Sequence, residues 1–204
     1  VNHFRHISTL AGPKKRAVTT PNSDTLYSSA WLDLSLRPLF LTVPPVGDFY
    51  YSYAFLDLFT NNFACVSRRL YGGRPPPHMI VGPAWTGDTP SDVTVVHAPT
   101  NSVWLLGRLL VDGPQELDRV GILQARVLLE TPDVRNERRV LETRELMPQR
   151  TMAPAESVAD WPAPNRTNPV DLFEVGMRAM GESPLRDHDR AVLEALAPLH
   201  LRPG

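Results

Sequence analysis

Proline is the residue that most constrains this chain. There are 21 prolines in 204 residues, about twice the usual ~5% usage, and some fall in adjacent runs such as Pro44-Pro45 and Pro75-Pro76-Pro77. Each proline removes a backbone donor and clashes with a preceding helical turn, and within sheets it is confined to edges and strand ends. Short strands and turns are therefore favoured over long helices. Residues 1 to about 112 have that character: apolar segments at 39–43, 49–58, 78–81 and 93–96 are each bounded by Gly or Pro. Several short strands at this spacing predict a sandwich or barrel. Within 50–55, period-two alternation puts Tyr51, Tyr53 and Phe55 on one face and Tyr50, Ser52 and Ala54 on the other. One of these faces is expected to be core.

The pattern changes at Asp112-Gly113-Pro114. Residues 115–129 carry Leu117, Val120, Leu123, Val127 and Leu128 near helical spacing, and Pro114 suits a first turn, so a helix is predicted there. The highly charged stretch 135–150 extends it or forms another. The proline-rich segment 151–168 reads as an extended crossing segment. Asn168-Pro169 caps and starts a further helix with an apolar face of Val170, Leu172, Phe173, Val175, Met177 and Met180, stopped by Gly181. Ser183-Pro184 opens a last helix that Pro198 ends. The expected layout is mainly β with α: a β-sandwich domain at 1–112, then a small helical C-terminal domain at 113–204. The length suits one good core, or one core plus a small second domain.

Composition removes several function classes. The 21 Lys and Arg balance 22 Asp and Glu, so no global field draws the chain to nucleic acid or anionic lipid. Cys65 alone forms no internal disulfide, and no Cys/His cluster has structural zinc spacing. The longest apolar runs, such as 103–111 interrupted by Gly107 and Arg108, fall far short of the ~20 residues of a membrane helix. The start at Val1 without a charged and apolar leader, and the end at Arg202-Pro203-Gly204, are expected to be cut ends.

Six stretches carry a resemblance: Pro21-Asn22-Ser23-Asp24-Thr25-Leu26-Tyr27 with Trp31-Leu32-Asp33-Leu34; Phe49-Tyr50-Tyr51-Ser52; Leu56-Asp57-Leu58-Phe59-Thr60-Asn61-Asn62-Phe63; Ile80-Val81-Gly82-Pro83-Ala84-Trp85; Val103-Trp104-Leu105-Leu106-Gly107-Arg108; and Val111-Asp112-Gly113-Pro114. In order and spacing the chain resembles the bacterial family named domain of unknown function 1254 across most of 1–130, and Asn168-Pro169-Val170-Asp171-Leu172-Phe173 resembles its helical tail. The resemblance implies an immunoglobulin-like β-sandwich, a helical segment, and usually a second all-β domain, named domain of unknown function 1214, after a Gly-Pro-Gly-like ending. A fragment, a split gene and a one-domain member all fit. Export signals on many relatives imply a periplasmic or cell-envelope setting. No established reaction is implied.

Two polar clusters are the candidate ligand sites. Asp57, Asn61 and Asn62 lie on an aromatic-rich segment, where amides and a carboxylate can bridge hydroxyls beside rings; the plainer reading is a strand-end turn capped by Asp57. The second joins Asn22, Asp24, Thr25 and Tyr27 to Arg68 and Arg108. Arg108 stands in so apolar a run that a carboxylate partner is expected, Asp24 or Asp57. Such a pair fixes strand order or, functionally, clamps a substrate carboxylate. His3 and His6 could share a helical face and meet His78 or His97 at a metal, but an exposed pair plus isolated strand residues is the stronger reading, and no metal or cofactor is expected. No Gly-x-Ser-x-Gly elbow, His-Glu-x-x-His or phosphate loop occurs. Ser28 and Ser29 would be nucleophiles only if a histidine reached them, and Cys65 suits an inert core thiol. The leading expectation is a β-sandwich module binding a small polar or carbohydrate-like ligand. Its rivals are a hydrolase completed by a second domain, with Asp24, Asp57, Arg68 and Arg108 as acid, base or clamp, and a structural envelope module that docks an all-β partner domain or a twin subunit.

Overall fold

The computed structural model describes residues 1–12, 22–143, 168 and 170–203. Nine strands in two sheets and five helices make up the described residues. The larger sheet runs β1 (Arg5–Ile7), β2 (Thr25–Asp33), β8 (Ser102–Leu110), β4 (Tyr51–Leu56) and β5 (Asn62–Ser67), all antiparallel. The smaller runs β7 (Thr94–His97), β6 (His78–Val81), β3 (Leu39–Thr42) and β9 (Leu128–Glu130), with β6 and β7 parallel.

Alternation explains which side chains meet. Leu26, Ala30 and Leu32 of β2, Tyr51, Tyr53 and Phe55 of β4, and Val103, Leu105 and Leu109 of β8 join Leu39, Leu41 and Ile80 of the smaller sheet in one buried cluster. The face with Tyr51, Tyr53 and Phe55 is thus the core face, as one of the two had to be. Burying side chains of this size contributes about 1.5–3 kcal/mol each. Phe40, Met79 and Val81 point the other way and pack with Trp85, Val93 and Val95, while the Arg135 guanidinium lies 4.6 Å from the Phe40 ring. Arg135 belongs to α3 (Pro132–Thr143), so the smaller sheet is covered on both faces.

The helix predicted over 115–129 is shorter than expected. A 3-10 turn at Pro114–Glu116 leads into α2 (Leu117–Ala125), and Leu128–Glu130 then forms β9 along the free edge of β3, pairing Glu130 with Phe40. The β-branched Val127 and the apolar pair after it gain more from completing a sheet edge than from another helical turn. The short α1 (Arg68–Tyr71) follows β5. The proline-rich crossing segment lies outside the described residues except for Asn168. The cap expected at Asn168 falls in the turn that leads into the next helix: its Oδ1 accepts from the Val170 amide at 3.1 Å, while Val170 itself is the N-cap of α4 (Asp171–Gly181) and no side chain caps it. After α4, α5 (Asp187–Leu196) starts where the Asp189 carboxylate accepts from the Arg186 backbone amide at 3.2 Å and from its guanidinium at 2.8 and 3.1 Å. These helices dock on the strand ends: the Ser183 hydroxyl accepts from the Asn101 amide at 3.2 Å, and Asn101 Nδ2 donates to the Glu182 carbonyl at 2.8 Å. None of the described helices is long and apolar enough to cross a membrane.

Candidate functional site

A groove of about 850 Å3 opens at one end of the larger sheet. One wall is the loop from Pro45 to Tyr50, between β3 and β4; the other is Leu110, Asp112 and the face of the 3-10 turn and α2 that carries Glu116, Arg119, Ile122 and Leu123. Spacings of three and four put those four side chains on one side of the helical stretch. Both walls are braced. Gly47 takes φ +58°, which its missing Cβ permits, and the Val46 amide bonds to the Gly73 carbonyl at 2.9 Å. Arg68 closes the loop from behind, donating to the Gly47 carbonyl, to the Phe49 carbonyl at 3.4 Å and to Asp48 Oδ1 at 3.1 Å. On the other side, Val120 is fully buried and Gln124 Nε2 donates to the Tyr27 carbonyl at 3.0 Å and to Ser28 Oγ at 3.2 Å.

The lining is mixed. Phe49, Tyr50, Leu110 and Ile122 supply apolar surface, and the last three stay exposed. Asp48, Asp112 and Glu116 bring carboxylates and Arg119 a guanidinium, which stands 5.1 Å from the Phe49 ring centroid. Next to the loop, Tyr51 donates to the Gly72 carbonyl at 3.1 Å, and burial pushes its phenol up to about 12 against the opposing pull of Arg68. It stays protonated at neutral pH.

The residues expected from sequence fall at two ends of the larger sheet. Thr25 pairs with Leu110 across the ladder, so Asn22, Asp24, Thr25 and Tyr27 sit at the groove end, where Thr25 Oγ1 donates to Asp24 Oδ1 at 2.9 Å. Arg68 and Arg108 share that end: Arg108 stands opposite Tyr27 and Ser52, and Ser52 opposite Ser67. Asp57, Asn61 and Asn62 occupy the far end, beyond the whole length of β4. At ~3.3 Å per residue, Asp24 and Asp57 are separated by roughly 20 Å or more, so they do not form an acid–base pair.

Arg108 has neither expected partner. It lies on the outer face of the sheet, half-buried rather than enclosed, and alternation there lets its head reach water. Asp57 pairs instead with Arg186, at 3.3 Å. Its Oδ1 also accepts the amides of Phe59 and Asn61 at 2.9 and 2.8 Å, and both oxygens accept from Asn61 Nδ2. Asp57 and Asn61 therefore build the β4–β5 turn, and Asn62 opens β5 exposed.

His6 lies on strand β1, not on a helix with His3, because β1 completes the edge of β2. A histidine does reach Ser28: His6 Nδ1 is 2.9 Å from Ser28 Oγ. That hydroxyl is fully buried, so it is a structural link and not an accessible nucleophile. His78 and His97 fall at opposite ends of the parallel β6–β7 pair. Among the described residues no group of three or more His, Cys, Asp or Glu could hold a metal ion.

A family model described as "Protein of unknown function (DUF1254)" matches residues 1–131. The chain belongs to this family. Every groove-lining residue lies inside the matched region, whereas α4, α5 and Arg186 lie beyond it. No curated protein matches. Among solved structures, the crystal structure of the VPA0106 protein from Vibrio parahaemolyticus is similar, with a TM-score of 0.68 and 20% identity over 91% of this chain and 43% of that one. At that identity the likeness is one of fold. This DUF1254 chain spans less than half the length of that protein.

The sequence reading missed Asp48, Phe49, Tyr50, Asp112, Glu116 and Arg119 as lining residues. One signal was available: Glu116 and Arg119 share a helix side with Ile122 and Leu123, a charged interruption of an otherwise apolar face.

Proposed function

We propose that this chain is a non-catalytic β-sandwich module that binds a small polar or carbohydrate-like ligand in the groove between the 45–50 loop and α2. The observation that carries this reading is the groove itself, about 850 Å3 with aromatic and aliphatic walls and four charged side chains. Small-molecule sites are concave, largely apolar, and oriented by a few convergent polar groups. Aromatic faces stack on the C–H faces of sugars while carboxylates accept from hydroxyls. Of the residues singled out from sequence, Arg68 supports the site most directly, because it holds the loop that forms one wall. The immunoglobulin-like character of the sandwich belongs to the same proposal, supported by two sheets sharing one core. The cell-envelope setting enters from the family resemblance.

The test is a titration of the 15N-labelled chain with a mixed sugar and carboxylate library, read by amide shifts. Shifts confined to 45–50 and 110–123 support the reading; unchanged groove amides at millimolar ligand overturn it.

One observation favours an assembly module as a second reading. Trp31 is 54% exposed on the outer face of the larger sheet, directly opposite Trp104, with the rings stacked at 5.7 Å and 17°. Large exposed aromatic surface of this kind suits a docked all-β domain or a second copy. Sedimentation of the chain against Trp31→Ser tests this: a self-associating chain made monomeric by the substitution supports docking of a second copy, and a monomer in both excludes it.

A further inference from the structure

We propose that the groove's ligand is a zwitterion of the amino-acid or short-peptide class, with its carboxylate on Arg119 and its ammonium on Asp112 and Glu116. This rests on the ligand-binding reading above and narrows it. The argument starts from which charges in the groove are already neutralised. Asp48 is engaged by Arg68 at 3.1 Å, so it contributes little net charge. Arg119 is exposed and, among the described residues, makes no ion pair; its contact is with the face of Phe49. Glu116 stands three residues before it, yet its Oε2 accepts from the Asp112 amide at 3.3 Å and is not paired with Arg119. No cation pairs with Asp112 or Glu116 among the described residues.

The groove thus presents Arg119 and, about one helical turn (~5.4 Å) before it on the same side, Glu116, with Asp112 beside Glu116 in the loop that leads into the 3-10 turn and with Ile122 and Leu110 exposed nearby. A purely cationic ligand would meet Arg119, and a purely anionic one the carboxylates. A neutral sugar would leave both signs of charge without a counter-charge. A zwitterion answers both, and its separated ends match opposite charges held about one turn apart. The volume leaves room for an apolar side chain against Ile122 and Leu110. Guanidinium binding to a planar carboxylate supplies the stronger, directional end.

The test uses the full chain with four probes: the dipeptide leucyl-phenylalanine, its N-acetylated form, its C-amidated form, and maltose, each titrated by groove amide shifts. The expected result is that the free dipeptide binds and that either cap weakens it about tenfold, as loss of one charged hydrogen bond would. Arg119→Gln should weaken the free dipeptide by a similar factor and leave the amidated form unchanged, with thermal melts confirming an intact fold. Equal binding of free and capped dipeptides overturns the proposal. Groove binding of maltose without the dipeptide overturns it but leaves ligand binding standing, and silence from all four probes overturns both.

Discussion

Arg186 and Asp57, 129 positions apart, tie the C-terminal helices to the β4–β5 turn. Arg186 Nη1 donates to Asp57 Oδ2 at 3.3 Å, and its guanidinium carbon lies 4.1 Å from the Phe59 ring centroid. Since Asp57 is buried and also organises its own turn, its loss acts locally and at a distance. Asp57→Ala is expected to lower the unfolding free energy by about 2–3 kcal/mol, because several donors lose their acceptor together. Arg186→Ala should leave the turn intact and speed amide exchange selectively in α4 and α5. Urea unfolding and hydrogen exchange on the two variants check the pair.

Gly107 lies in β8 between Ser28 and Tyr53 on the neighbouring strands. A Cβ there would strike the Tyr53 ring and approach the Ser28 Cβ to 3.1 Å. Gly107→Ala is expected to cost about 1–3 kcal/mol by overpacking. Gly121, within α2 and with nothing within 4 Å of an added Cβ, should behave oppositely: Gly121→Ala gains about 0.5–1 kcal/mol from helix propensity. Thermal melts of both variants give the two signs.

The fully buried Glu130 carboxylate of β9 receives a fork from Arg138 of α3, at 2.7 and 2.8 Å. Removing only Arg138 strands that carboxylate, so Arg138→Met should cost about 3–5 kcal/mol. Adding Glu130→Gln in the same chain should recover a large part of the loss. A double-mutant cycle in urea measures it, and additive losses would contradict the coupling.

His78 is 1% exposed and sits edge-on to Tyr71 at 4.8 Å. Burial lowers its pKa from 6.5, and neither ring nitrogen has a hydrogen-bond partner within normal geometry. Above pH 6.5 it is neutral both folded and unfolded. Below that value the unfolded chain takes up a proton that the folded chain refuses, so stability falls as the pH drops from 6.5 toward the folded pKa. His78→Leu should flatten the decline between pH 6.5 and 5 without abolishing it, as read by chemical denaturation at each pH.

The strand pattern was largely legible. The segment 78–81 is β6 residue for residue, and alternation correctly split Tyr51, Tyr53 and Phe55 from Tyr50, because period two is a local property of the backbone. The Asp57–Asn61 turn was also within reach, since Asx turns close over a few residues. Val127, Leu128 and Leu129 were read as helix because their periodicity is ambiguous in a short apolar run; the free edge of β3, nearly ninety residues away, drew Leu128 and Leu129 into a strand. The partners of Arg108 and Asp57 were misread for a related reason. An apolar run does not reveal which face of a strand looks outward, nor that Arg186 arrives from a distant helix.

By itself the sequence determined the short-strand body, the late helices, the absence of a long apolar span and the family resemblance. Each of these is written in composition, in local periodicity, or in an ordered set of short motifs. Tertiary structure alone decided where an opening lies and which charges remain unpaired in it. The groove forms only when the 45–50 loop, braced by Arg68, comes opposite the α2 face bearing Glu116 and Arg119. That juxtaposition depends on chain segments about seventy residues apart packing on one sheet end, and no local rule of backbone chemistry encodes it.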